Sequence, residues 1–267
     1  SFTLDMTLVP DFRQVQSDNR VLNLSPFEIR YDENRQFFTE GTELFSKGGL
    51  FYSRRIGGVP VNYNEPYNEL NTGEYVKTDP STTQLINATK FSGRTSGNLG
   101  IGIFNATSVA SYAVISDSMG NTRKVMTQPL TNYNEIVLDQ ALKNNSYVSL
   151  VNTNVTREGK TYDANVTGTE FKFANKKNRY AFNGNAALTQ LFYADSSKPV
   201  LGYLYYLNAG KISGNFQYNL NATVKSDKYD PNDLGISFIN NTIEFYANVY
   251  YNIYKPFWKV NNLYTNI

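Results

Sequence analysis

The side chains best suited to chemistry lie in the first 55 residues, where carboxylates and arginines alternate. Two carboxyl groups ~5–9 Å apart could serve a glycosidase, so a carboxylate-based hydrolase is one hypothesis. Arginine–carboxylate pairs are also the usual way to satisfy charge in a polar interior. We therefore predict a charge-paired network with a lumenal or ligand-binding role, and no catalytic residue. Its predicted members are Asp11, Gln14, Asp18, Glu28, Glu33, Arg35, Glu40, Arg54 and Arg55.

The composition excludes several classes of site. The sequence has Cys 0 and His 0, which rules out disulfides, thiolate nucleophiles, imidazole bases and zinc held by these residues. Asp230, Asn232 and Asp233 have the spacing that opens a calcium loop, but the glutamate that closes such a loop is missing. We predict a turn capped by side chains there, and neither a metal nor a cofactor elsewhere.

Charge and hydropathy point away from nucleic acid and from membrane helices. Lys+Arg 25 nearly balance Asp+Glu 23, so no electrostatic attraction to nucleic acid is predicted. Charged residues make up 18%, below the roughly 25% of globular domains, whereas aromatic residues reach 15%. No apolar run approaches the ~18 residues of a membrane helix. This balance suits strands with a neutral polar face and interfacial aromatics.

Alternating strands and turn motifs fill the chain from residue 85 onward, and the fold class is predicted to be all-β. Residues 1–84 are predicted to form a first strand and a charge-rich, plug-like segment, loop-like over 57–83, and residues 85–267 the antiparallel strands. Gly100 and Gly102 alternate within one strand and indicate a close backbone approach or a kink. The predicted strands are 85–95, 98–107, 109–116, 122–128, 131–142, 145–156, 161–173, 178–190, 200–212, 214–226, 241–254 and 257–267.

Three of these strands have two distinct faces. In 178–190, 214–224 and 241–254, apolar residues alternate mostly with asparagine, glutamine and threonine, and the charged residues among them are Arg179 and Glu244. The strands of a β-sandwich or a soluble barrel also alternate apolar and polar residues. The predicted strands, however, are long enough for a tilted membrane crossing, which takes 9–11 residues. We therefore predict an antiparallel transmembrane β-barrel, of which the chain is a fragment. Strands 131–142 and 145–156 are apolar on both faces, so they cover the plug-like segment or contact a partner.

The N-terminal segment is predicted to fold inward. An arginine facing lipid would cost ~2–4 kcal/mol, and an extracellular loop would expose the Phe37–Phe38 pair. Packing inside the barrel buries these aromatics and lets arginines meet carboxylates. We expect Arg35, Arg54 and Arg55 each to lie within salt-bridge distance of a carboxylate.

Four N-terminal sequence blocks and one later segment carry a family resemblance. The blocks are Pro10-Asp11-Phe12-Arg13-Gln14-Val15-Gln16-Ser17-Asp18, Asn23-Leu24-Ser25-Pro26-Phe27-Glu28, Glu33-Asn34-Arg35-Gln36-Phe37-Phe38-Thr39-Glu40-Gly41 and Leu50-Phe51-Tyr52-Ser53-Arg54-Arg55-Ile56-Gly57, and the later segment is Tyr229-Asp230-Pro231-Asn232-Asp233-Leu234-Gly235. Together they resemble a domain of unknown function of Bacteroidota outer-membrane proteins that usually follows a family-9-like carbohydrate-binding domain. Departures occur at Arg13, Gln16-Ser17, Asp32 and Gln36, where the family has glycine, Glu-Ala and two prolines.

The resemblance implies a bacterial outer-membrane location, contact with outer-membrane lipid, and a carbohydrate-binding domain in the same full-length chain. Together with the amide-rich strand faces, whose donors and acceptors suit sugars, it leads us to expect a non-enzymatic channel or receptor for oligosaccharides or another nutrient. The alternatives are the carboxylate-based glycan hydrolase and a structural subunit of a secretion or assembly complex.

Overall fold

The structure is a computed structural model that describes residues 1–10, 22–24, 28–256 and 258–266. Two short helices, α1 (Gln36–Thr39) and α2 (Glu65–Asn68), and two 3-10 turns, Lys47–Gly49 and Ser53–Arg55, precede most of the strands. The strands are β1 (Phe2–Leu8), β2 (Glu74–Thr78), β3 (Leu85–Arg94), β4 (Leu99–Ser108), β5 (Ser111–Asp117), β6 (Thr122–Gln128), β7 (Thr131–Leu142), β8 (Ser146–Arg157), β9 (Asp163–Ala174), β10 (Tyr180–Phe192), β11 (Val200–Lys211), β12 (Phe216–Lys225), β13 (Thr242–Ile253) and β14 (Leu263–Asn266).

Eleven strands form one antiparallel sheet, in the order β1-β3-β4-β7-β8-β9-β10-β11-β12-β13-β14. The all-β prediction is confirmed, and the predicted strand 131–142 coincides with β7. The predicted strand 257–267 is shorter in the structure, at Leu263–Asn266. Within the described residues no hydrogen-bonded pairing joins β1 to the opposite edge of this sheet. Closure into a barrel and insertion into a membrane therefore stay predictions.

A second sheet, in the order β2-β5-β6, stands apart from the large one. Its strand β2 lies in the stretch that the sequence predicted to be loop-like, and the β5–β6 hairpin leaves the large sheet between β4 and β7. The hairpin turn suits its residues, because the Asp117 carboxylate accepts hydrogen bonds from the Met119 and Asn121 amides and Gly120 adopts a φ of 87°. Arg123 ties the hairpin to β2 through Glu74, at 2.9 Å.

The core lies between one face of the large sheet and the N-terminal segment. We call residues 28–58 the inner segment and the face of the sheet that it covers the inner face. Phe104 on β4 is almost completely buried and contacts the rings of Phe38, Phe45 and Phe51, with centroids 5.2 to 6.3 Å apart. The plug-like segment of the sequence prediction thus packs against the sheet and supplies three of the four rings of this aromatic cluster.

Two alternating glycines let this segment approach. A Cβ atom on Gly100 would lie 2.7 Å from a Leu44 methyl carbon, and one on Gly102 would lie 3.2 Å from the Phe45 ring. A side chain at either position would force Leu44 or Phe45 to shift away from β4. The close approach predicted from the spacing of these glycines is confirmed.

The opposite face of the sheet, which we call the outer face, exposes large apolar side chains. On β7 and β8 the inner residues Val137 and Val151 are fully buried, whereas the outer residues Ile136 and Leu150 are about half exposed. Strands 131–142 and 145–156 therefore carry apolar residues on both faces. Their inner face packs against the inner segment, which is one of the two explanations that the sequence offered. None of the helices in the described ranges is both long and apolar enough to span a bilayer.

Candidate functional site

The predicted charge network is centred on Glu33 and Arg35. The two side chains form a bidentate pair, with Nε–Oε1 and Nη2–Oε2 distances of 2.9 and 2.7 Å. The guanidinium also donates to the backbone carbonyls of Ile56 and Ser53, each at 2.7 Å. Its carbon lies 4.2 Å from the centre of the Phe38 ring. Arg35 is 6% exposed, so it joins the start of the inner segment to its second 3-10 turn from a nearly dry position.

The Glu33 carboxylate is held in its charged form by the groups around it. Burial by itself raises the pKa of this carboxyl. The hydrogen bonds and positive charge of Arg35, with a 2.6 Å bond donated by the Ser53 hydroxyl, outweigh burial and bring the pKa below its usual value. Glu33 is therefore an ionised structural partner, not a proton donor for catalysis near neutral pH.

Arg54 extends this centre toward solvent. Its Nε lies 3.9 Å from Glu33 Oε1 and donates to the Asp32 carbonyl at 3.0 Å. At 3.9 Å the contact with Glu33 is a charge interaction without hydrogen-bond geometry. Arg54 therefore also reaches the network through the backbone of Asp32.

Arg55 links the inner segment to a distant loop. Its guanidinium forms a second bidentate pair with Glu28, at 2.9 and 2.7 Å, and its Nε donates to the Gly235 carbonyl at 3.1 Å. The Glu28 side chain is half exposed, so this pair is partly wet. Arg35, Arg54 and Arg55 thus each lie within 4.0 Å of a carboxylate, as the sequence predicts.

Among the described residues, Glu40 pairs with none of the three network arginines, although the sequence places it in the network. Its carboxylate accepts a 2.9 Å hydrogen bond from the Gln36 amide, and its backbone carbonyl accepts one of 2.7 Å from Lys90. The reason is local, because α1 turns the chain after Arg35 and carries Glu40 to its far end. Asp11, Gln14 and Asp18 lie outside the described residues.

Two further charged clusters escaped the sequence analysis. On the inner face, Asp139 of β7 pairs with Arg94 at 2.5 Å and with Lys47 of the inner segment at 3.5 Å, and it accepts a 2.6 Å bond from Ser149. The partners are up to 92 residues apart, so their spacing carries no signal. The available signal was a pair of acidic residues, Glu135 and Asp139, on the same face of a predicted strand, because a buried carboxylate needs a partner.

The second cluster holds the connection between β12 and β13. Arg157 at the end of β8 forms a buried ion pair with Asp233. In the same loop the Asp230 carboxylate accepts the Asn232 amide at 3.0 Å, and Asn232 Oδ1 accepts the Ser237 amide at 2.7 Å. This is the predicted side-chain-capped turn. It lies against the inner face, since Asp230 N donates to Thr189 of β10.

Beyond the inner segment, the inner face carries a row of asparagines that we call the amide ladder: Asn208, Asn219, Asn221 and Asn248. Asn219 Oδ1 accepts from Asn221 at 3.2 Å and from Asn248 at 2.9 Å. Asn221 Oδ1 accepts from Asn208 and from the Tyr206 hydroxyl, the latter at 3.1 Å. The ladder runs across β11, β12 and β13 and presents neutral donors and acceptors.

These clusters differ in what they can do chemically. Glu28 and Glu33 each carry an arginine partner, which favours a structural role for both over a hydrolytic pair with an open acid and base. The amide ladder has no such charge and suits the binding of a neutral polar ligand.

The protein is thus an all-β protein built on a large antiparallel sheet. Apolar side chains are exposed on the outer face of this sheet, and its inner face carries the arginine-paired inner segment and the amide ladder. The chain belongs to the family described as Domain of unknown function (DUF5916), whose profile matches residues 1–267. Neither a curated protein nor a solved structure matches the chain. The resemblance to a domain of unknown function is thus confirmed over the whole sequence.

Proposed function

We propose that this chain forms part of the wall of a bacterial outer-membrane β-barrel, and that the barrel is a non-enzymatic channel or receptor for glycans or another nutrient. The observation that carries the proposal is the outer face of β10 to β13. Every outward position of β12, from Phe216 to Val224, is apolar or aromatic, and the outward residues Leu188, Tyr205 and Phe245 are exposed.

The length of this apolar surface supports contact with lipid. β10 to β13 are 13, 12, 10 and 12 residues long, and a tilted strand crosses the hydrocarbon core with ~9–11 residues. Soluble monomers rarely expose contiguous apolar patches larger than ~300–600 Å². A lipid environment removes the cost of exposing this surface to water.

The inner side supports an aqueous or protein-filled interior. The three arginines of the described network belong to the inner segment. They pair with its carboxylates, away from the outer face. The amide ladder faces the same interior and supplies neutral hydrogen-bonding groups that suit sugar hydroxyls. The family resemblance adds an expected Bacteroidota origin and a neighbouring carbohydrate-binding domain in the full-length protein.

Fractionation and flux measurements test the proposal. The full-length protein is expected in the outer-membrane fraction, and liposomes that contain it should swell in neutral sugars of graded size. Recovery of the protein in the soluble fraction would overturn the proposal.

A second candidate function, a structural subunit of a secretion or assembly complex, is favoured by one observation. The inner segment fills the inner side over β3 to β9, where Phe104, Val137 and Val151 are almost completely buried. A barrel plugged along its full length would partition into the outer membrane and yet give no swelling with any sugar.

A further inference from the structure

The amide ladder lies on the part of the inner face that the inner segment leaves accessible. Asn219, Asn221 and Asn248 are partly exposed. Val137 and Val151, which lie on the same face where the inner segment covers it, are fully buried. The ladder is therefore open to a ligand on the inner face.

Strand register places the polar residues in rows. Asn183, Asn208, Asn221 and Tyr246 are successive cross-strand partners from β10 to β13. Neighbouring strands lie ~4.8 Å apart, so this row is about 14 Å long, the length of a short oligosaccharide. The next row pairs Asn219 with Asn248 and widens the polar strip.

The amide groups of the ladder are held in fixed orientations, but some of their donors and acceptors have no hydrogen-bond partner among the described residues. Its internal hydrogen bonds fix the amides of Asn219 and Asn221 through their oxygens. Among the described residues, no partner is found for the Asn219 amide nitrogen or for the amide oxygens of Asn208 and Asn248, and Asn185 Oδ1 is buried without one. Donors and acceptors thus remain available side by side, as a hydroxyl group requires.

The strip is also free of charge along the row. Lys225 and Glu244, the charged residues on this face of β12 and β13, lie toward the end that leads into the 226–241 connection. An ionic ligand would find no opposite charge at the asparagines to offset the loss of its hydration. A neutral polyol needs no such charge, because its hydroxyl groups can exchange hydrogen bonds with water for hydrogen bonds with the amides. Tyr246 at the end of the row is 57% exposed and offers a ring against which a sugar can stack.

We propose that the amide ladder, with Tyr206 and Tyr246, binds a neutral oligosaccharide along the inner face of β10 to β13. This inference rests on the proposed function, and it narrows the ligand class and assigns the recognising residues. A charged glycan, or a protein segment that covers the ladder, is the competing occupant.

Isothermal titration of the full-length protein in detergent tests the proposal, with maltohexaose and cellohexaose as neutral probes and hexagalacturonate as the charged probe. Saturable binding of at least one neutral probe is expected, and Asn221→Leu should weaken it by about tenfold or more, the size expected for a lost hydrogen-bonded amide. Asn248→Ala, which removes one peripheral hydrogen bond, should weaken it less and serves if Asn221→Leu does not fold.

The matched control is Asn165→Leu. Asn165 lies on the outer face of β9, where it accepts a 3.0 Å bond from Asn152 and donates one of 3.1 Å to Gln190, so it has the same chemistry on the wrong side of the sheet. It should leave affinity within about twofold. Equal loss in both leucine variants, or equally tight binding of hexagalacturonate, would overturn the proposal.

The outcomes separate the two proposals. Sugar-dependent swelling without saturable binding of either neutral probe would overturn the ladder proposal and leave the channel standing. Binding that Asn221→Leu alone weakens, in a protein recovered from the soluble fraction, would support the ladder and overturn the membrane wall.

Discussion

At the scale of single residues, the Glu33–Arg35 pair is a bidentate and largely buried ion pair within the inner segment. Arg35→Ala leaves a carboxylate whose side chain is only 14% exposed without its bidentate partner, so we expect a loss of ~3–5 kcal/mol in the free energy of unfolding. Arg54→Ala is the matched control, because the Arg54 side chain is 20% exposed against 7% for Arg35, so solvent screens its charge more and the loss should be smaller than that of Arg35→Ala. Urea unfolding of both variants would contradict this assignment if the two losses were equal.

Glu135 presents the opposite situation on the inner face of β7. Its side chain is fully buried between Phe104 and Thr153, its cross-strand neighbours, and neither carboxylate oxygen has a hydrogen-bond partner within the described part of the chain. Glu135→Met should therefore raise the free energy of unfolding by ~1–3 kcal/mol, because it removes an unsatisfied polar group at similar volume. The same change at the satisfied Glu33 should lower it. Denaturant midpoints of the two variants give the signs, and a loss in Glu135→Met would show that the carboxylate is satisfied.

At the scale of elements, the contact between β4 and the inner segment depends on glycine. Gly102→Val would place methyl groups where the Phe45 ring and Leu44 now lie, since a single Cβ already comes within 3.2 Å. We expect a loss of ~1–3 kcal/mol from overpacking and faster proteolysis within residues 42–50. Gly97→Val in the exposed β3–β4 turn, where a Cβ meets only Thr95 Oγ1 at 3.8 Å, should change neither. Equal cleavage of both variants would mean that the segment is not held by this contact.

The elements also show what the sequence could predict. Turn motifs and a long strand-like run revealed β7 over its whole length. Period-two alternation revealed the polar face of β12 that carries Asn219 and Asn221, because every second residue of a strand shares a face. It missed β2, whose five residues are too few for alternation to stand out. The arginine pairs were predictable in kind, since buried charge needs a partner, but the choice of partner was not. Arg157 and Asp233 lie 76 residues apart, and only the fold brings them together.

At the scale of the whole molecule, the orientation of the two faces decides between a membrane wall and a soluble sheet. Leu220 lies at the centre of the outer face of β12 and is 56% exposed, whereas Thr223 lies on the inner face opposite Glu244. If the outer face meets lipid, Leu220→Arg should cost ~2–4 kcal/mol on folding into lipid vesicles. Thr223→Arg should cost less than ~1 kcal/mol, because its guanidinium stays in a polar interior beside a carboxylate.

Urea titration of the full-length variants refolded into lipid vesicles measures both costs. Titration of the same variants in detergent solution, without a bilayer, is the control. A lipid-facing position makes the arginine penalty depend on the depth of the residue in the bilayer. Leu220→Arg should therefore cost more than the same change at Phe216, which lies two outward positions nearer the β11–β12 turn. Equal, small costs at Leu220, Phe216 and Thr223 would show that the outer face does not meet lipid and would overturn the membrane wall.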